Sequence, residues 1–89
     1  MNKAAIIKVY GRVQGVGFRF YTQKKANELG ICGHVRNRPD GSVYIEAEGE
    51  EEKLEMFLNW CEDGPSWAHV SKCEKQYVPL FNEEDFRIK

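Results

Sequence analysis

Residues 11–19 read Gly-Arg-Val-Gln-Gly-Val-Gly-Phe-Arg, with glycines at 11, 15 and 17 and arginines at 12 and 19. Glycine admits positive φ and lets a ligand approach the backbone closely. Successive N–H groups in such a loop can turn inward and form an anion nest. A helix that follows adds its unpaired N–H groups and the positive end of its dipole. Arg19, at the start of that helix, presents a planar fork suited to bidentate contact with phosphate. The Gly11–Arg19 segment is therefore a candidate site for a phosphate-sized anion. The alternative is a tight strand-to-helix turn with a surface arginine. No Gly-Lys-Ser/Thr follows, so this is not a nucleotide P-loop. The second candidate is Asn37, in Val35-Arg-Asn-Arg-Pro39. An amide both donates and accepts, which suits holding a water; an asparagine that only caps a turn would look the same.

Other chemistry is missing. There is no Ser/His/Asp set, no carboxylate pair by spacing and no Cys/His pair at the glycine loop. Cys32, Cys61 and Cys73 form no C-x-x-C and lack metal-ligand spacing, so they read as three small apolar thiols in a reducing cytosol. Neither a metal nor a cofactor is expected. A hydrolase built from one arginine, backbone amides and one asparagine has no general acid and no strong base. It could cleave only a phosphate whose leaving group departs unprotonated, and a carboxylate, with a pKa of about 4, qualifies.

These residues need elements to hold them. Residues 4–10 read as a strand, with Ile7 and Val9 on one face and Ile6, Lys8 and Tyr10 on the other. Residues 19–29 read as a helix with Thr22, Ala26 and Leu29 inward, stopped by Gly30. Residues 31–38 are a second strand, Pro39-Asp40-Gly41 a turn, and 42–48 a third strand with Val43, Ile45 and Ala47 inward. Residues 50–61 are the clearest helix, with Leu54, Phe57, Leu58 and Cys61 at i, i+3, i+4 and i+7. Glu50, Glu51 and Glu52 fall in its first turn, where the dipole favours acids, and Gly64-Pro65 ends it. Residues 68–77 form a fourth strand, and 86–88 suit a short last one.

Two helices cannot cover both faces of a four-stranded sheet, so they should share one face and leave the other wet. The first β-α-β unit crosses right-handed, and the third strand fits between the first and second. The expected fold is an α+β, ferredoxin-like β-α-β-β-α-β sandwich with an antiparallel sheet. The first two strands then end at one sheet edge. Two strand spacings, about 10 Å, separate the glycine loop from Asn37, close enough to meet over one ligand. By strand parity His34 should face the open side.

With 89 residues the chain is expected to be one domain, residues 1–89. Its 42% hydrophobic and 30% charged residues suit a soluble globule. No stretch approaches the ~20 apolar residues of a membrane span, and the first ten residues are not a signal peptide, so the expectation is a cytoplasmic protein with no membrane partner. Residues 1–40 carry a net charge of +6 and residues 41–89 a net of −7, for −1 overall. That balance argues against general nucleic-acid binding while leaving room for a small anion site in the basic half. The same topology also serves RNA recognition, with Tyr10 and Tyr44 as open-face aromatics, and a non-catalytic anion- or partner-binding domain is a further alternative.

The block from Gly11 to Arg19, followed by Leu29-Gly30, Gly33, Val35-Arg36-Asn37 and Asp40-Gly41-Ser42-Val43, closely resembles the acylphosphatases over nearly the whole chain. The resemblance implies a ferredoxin-like enzyme that hydrolyses carboxyl–phosphate anhydrides without metal, cofactor or covalent intermediate. It implies that Arg19 binds the phosphate, that Asn37 positions the attacking water, and that residues 14–18 form the cradle. It also implies a small-molecule acyl phosphate as partner, inorganic phosphate as inhibiting product, and a monomer. Two positions depart from the family pattern. His34 stands where Trp or Tyr is common, and Arg38 stands where Thr or a small polar residue is frequent. Arg38 could alter the preference for substrate charge.

Overall fold

The computed structural model describes all 89 residues, in the order β1 (Asn2–Arg12), α1 (Phe18–Leu29), β2 (Cys32–Asn37), β3 (Val43–Glu50), α2 (Glu51–Asp63), β4 (His69–Val78) and β5 (Phe86–Ile88). The strands lie in the order β4-β1-β3-β2-β5. β3 pairs antiparallel with both β1 and β2, so β1 and β2 run parallel with β3 between them, as the split β-α-β reading requires. The expectation of an antiparallel sheet needs one correction: β5 pairs parallel to β2, making the sheet five-stranded and mixed.

The core lies between the sheet and the helices. Ala5, Ile7 and Val9 of β1 and Val43, Ile45 and Ala47 of β3 are fully buried on the helix-facing side, because alternation puts every second residue there. α1 contributes Phe18, Thr22 and Ala26; α2 contributes Leu54, Phe57, Leu58 and Cys61, the whole expected stripe. Leu29, expected inward, is only partly buried at the end of α1. Phe18 begins α1 and is 2% exposed, its ring 5.9 Å from that of Trp60. Glu50 closes β3 and holds the N-cap position of α2 without a side-chain hydrogen bond, so of the three acids expected in the first turn only Glu51 and Glu52 lie there.

The helix-free face differs from expectation. The chain must travel from β4 at one edge to β5 at the other, and residues 79–85 do so across this face. The Phe81 and Glu83 backbone N–H groups donate to the Glu48 carboxylate, and Gly33 N–H donates to the Asp85 carbonyl at 2.7 Å. Gly33, at φ 140, is needed there: a Cβ would fall 1.8 Å from the Glu46 carbonyl oxygen of the neighbouring strand. His34 does point to this side, yet it is only 8% exposed beneath the crossing segment. Burial pushes its imidazole pKa below the ordinary value, against the pull of Glu46. Tyr10 and Tyr44, the aromatics of the alternative RNA-binding reading, donate their hydroxyls to Glu74 and Glu46, and cationic side chains lie over both rings.

Candidate active site

β1 carries the chain to Arg12, and Val13, 1% exposed, anchors the start of the loop in the core. Gly15 (φ 75) and Gly17 (φ 80) then take the left-handed conformation that side chains avoid. Gly17 is the N-cap of α1 and supplies no side-chain cap, and no acidic residue occupies the first turn. The first backbone bond of the helix runs from Tyr21 N–H to the Gly17 carbonyl. The N–H groups of Phe18, Arg19 and Phe20 therefore have no backbone acceptor and stand at the positive end of the helix dipole. Arg19 is exposed beside them and forms no ion pair with any carboxylate.

Across one strand, Asn37 ends β2. Its Oδ1 is buried and has no hydrogen-bond partner in the protein. A buried unpaired acceptor costs about 1–3 kcal/mol, and this one belongs to a residue that lines the same cleft as the glycine loop. The turn that follows is braced. Asp40 accepts from the Ser42 N–H and hydroxyl, and these bonds, the hydroxyl first, hold its carboxyl below the usual carboxylate range.

A cleft of about 240 Å³ joins the two halves, lined by Val13, Gly15, Gly17, Phe18, Arg19, Phe20, Asn37 and Ile88. Of the residues expected from sequence, Gly15, Gly17, Phe18, Arg19 and Asn37 meet here. Phe18 contributes through its backbone, since its ring belongs to the core. Val16 packs against the core. Gln14 turns the other way: its Nε2 donates to the carbonyls of Arg38 and Ser42, each at 2.8 Å. Its side chain thus ties the loop to the turn beside Asn37. Arg38 also faces away, its guanidinium 5.5 Å from the centre of the Tyr44 ring on the far side of the sheet. Val13, Phe20 and Ile88 were missed as cleft residues. Only the strand-like Phe86-Arg87-Ile88 hinted at the last of them, through its pairing beside β2.

A cleft with several free N–H donors, an unpaired guanidinium and one unpaired amide oxygen, on a split β-α-β sandwich, is the arrangement expected of a small α+β enzyme acting on an anion. A profile of the acylphosphatase family matches residues 5–88. The chain is 49% identical to an acylphosphatase of Archaeoglobus fulgidus over 92% of each chain. It is 47% identical to one of Thermotoga maritima over 98% of this chain and 97% of the relative. The acylphosphatase structure from Coxiella burnetii superposes with a TM-score of 0.95 at 34% identity, over 99% of this chain and 93% of that one. The Bacillus subtilis acylphosphatase gives 0.91 at 38%, over 100% and 99%. The chain belongs to the acylphosphatase family, and it is an enzyme that hydrolyses acyl phosphates.

Proposed function

We propose that hydrolysis proceeds by direct in-line attack of water on phosphorus, with no metal and no covalent intermediate. The carrying observation is the pairing, in one cleft, of an uncapped helix start and unpaired Arg19 with the buried, unpartnered Oδ1 of Asn37. The phosphoryl group sits on the N–H groups of residues 15–20 and on the Arg19 fork. The transition state is loose, with charge spread over the equatorial oxygens. Donors already aimed at that charge need no reorganisation, and this supplies most of the rate. Asn37 Oδ1 accepts one hydrogen of the water and leaves a lone pair facing phosphorus, a positioning contribution. A phosphate oxygen of the substrate takes the water's proton, since no side-chain base lines the cleft. The carboxylate departs as an anion and needs no acid. Val13, Phe20 and Ile88 give the acyl group an apolar wall.

Inorganic phosphate fits the same donors and is a competitive product inhibitor. The functional unit is the whole of residues 1–89, acting as a monomer in the cytoplasm, where three free thiols are kept reduced. Hydrolysis of benzoyl phosphate in ¹⁸O-water tests the route. Label is expected in inorganic phosphate, with no pre-steady-state burst of benzoate. Label in benzoate would move the attack to the carbonyl carbon, and a burst together with trapping of ³²P on acid-quenched protein would require a phosphoryl-enzyme.

A further inference from the structure

Under the crossing segment, a buried imidazole nitrogen and two carboxylates converge. His34 Nδ1 is buried and makes no hydrogen bond; it lies 3.6 Å from Glu46 Oε1, beyond hydrogen-bond reach. One ligand atom each from His34, Glu46 and Glu83 all lie within 4.8 Å of one another. Neither Glu46 nor Glu83 has a lysine or arginine partner. Arg36, on this face, lies instead over the Tyr44 ring at 4.6 Å. Glu48 is not part of the group, because the Phe81 and Glu83 N–H groups already satisfy its carboxylate.

We propose that His34 Nδ1, Glu46 and Glu83 form a zinc site that fastens the segment of residues 79–85 to β2 and β3. An imidazole nitrogen with two carboxylate oxygens is a three-ligand set that leaves the fourth tetrahedral position to water. Tetrahedral bonds of about 2.0–2.2 Å place ligand atoms about 3.3–3.6 Å apart. The His34–Glu46 separation already meets that, and Glu83, on a loop, has only to swing inward. An imidazole in the set favours zinc over magnesium. Tyr44 hydroxyl, donating to Glu46 Oε2 at 2.8 Å, orients the ligand as outer hydrogen bonds commonly do. The three residues come from β2, β3 and the β4–β5 connection, so no spacing in the sequence reveals them. The site stands apart from the catalytic cleft. His34 has opposite strand parity from Asn37 and stands three residues, about 10 Å, along β2 from it.

The test is a titration of metal-free protein with Zn²⁺ in competition with a chromophoric chelator, followed by thermal unfolding. One ion per chain is expected, with Tm raised by several degrees at saturation. Benzoyl phosphate turnover at 25 °C should not change. His34→Ala and Glu83→Gln should each weaken zinc binding by at least about tenfold and abolish the Tm rise. Glu83→Gln keeps its backbone bond to Glu48, so it remains informative even if His34→Ala folds poorly. Protein that takes up no zinc at about 100 µM free ion, or a folded Glu83→Gln that binds zinc as the unaltered chain does, overturns the proposal.

Discussion

Arg19 and Asn37 separate binding from attack. Arg19 is exposed and unpaired, so Arg19→Ala should leave Tm nearly unchanged while removing phosphate binding and turnover together. Arg19→Lys should rescue little, because an ammonium cannot reproduce the bidentate fork. Phosphate affinity by calorimetry and kcat/KM for benzoyl phosphate check both; near-normal kcat/KM in the lysine variant would reduce Arg19 to a diffuse charge. Asn37→Ala leaves the donors in place, so phosphate should still bind. Loss of one aligned polar group should lower kcat about 10²–10³-fold, roughly 3–4 kcal/mol, with KM moving much less. Asn37→Asp should be no better, since its charge repels the phosphate. A folded Asn37→Ala with unaltered kcat returns the residue to a turn cap, and loss of phosphate binding would place it in the anion cradle.

At the scale of elements, the loop and the β2–β3 turn act as one unit because Gln14 clamps two carbonyls of that turn. Gln14→Ala would leave both carbonyls without that donor and free the turn that follows Asn37. At about 1 kcal/mol per hydrogen bond, stability should fall by about 1–3 kcal/mol. The kcat should fall more than phosphate affinity, because the N–H donors of α1 stay where they are while Asn37 loses its register. Equal losses in phosphate affinity and kcat would show Gln14 to be a direct ligand after all. α2 gives a stability test that bypasses the site. Cys61 is fully buried in its inward stripe, so Cys61→Ser buries a hydroxyl and should cost about 1–3 kcal/mol in denaturant unfolding. Turnover per folded molecule should persist.

Across the whole molecule, burial governs the thiols. It raises the pKa of Cys32, Cys73 and, most strongly, Cys61, so the folded chain holds its protons where an unfolded chain loses them. Above the ordinary thiol pKa the unfolded state binds fewer protons than the native state. Stability therefore falls as pH rises past that value and is unaffected by the thiols below it. Unfolding curves from pH 7 to 10 should show this decline, and Cys61→Ala should flatten it. Iodoacetamide at pH 7.5 should modify Cys61 only after unfolding. Prompt inactivation of the folded enzyme, prevented by phosphate, would instead put a thiol in the cleft.

Periodicity alone specified most of this molecule. The stripes of α2 and β3 emerge as written because burying apolar side chains dominates and each element has a fixed period. The glycines at 15 and 17 announced a loop able to hold an anion, since few other residues take their dihedrals, and the family pattern tied Arg19 and Asn37 to it. Tertiary structure decided what depends on distant pairings. The Gln14 side chain braces the loop because the β2–β3 turn, more than twenty residues on, offers it two carbonyls. The open face was covered because β5 joins β2 in parallel, and a chain leaving β4 at the opposite edge has to cross the sheet to reach it. That crossing buries His34 and draws Glu83 to Glu46, contacts between residues about 12 to 50 apart that no local propensity encodes.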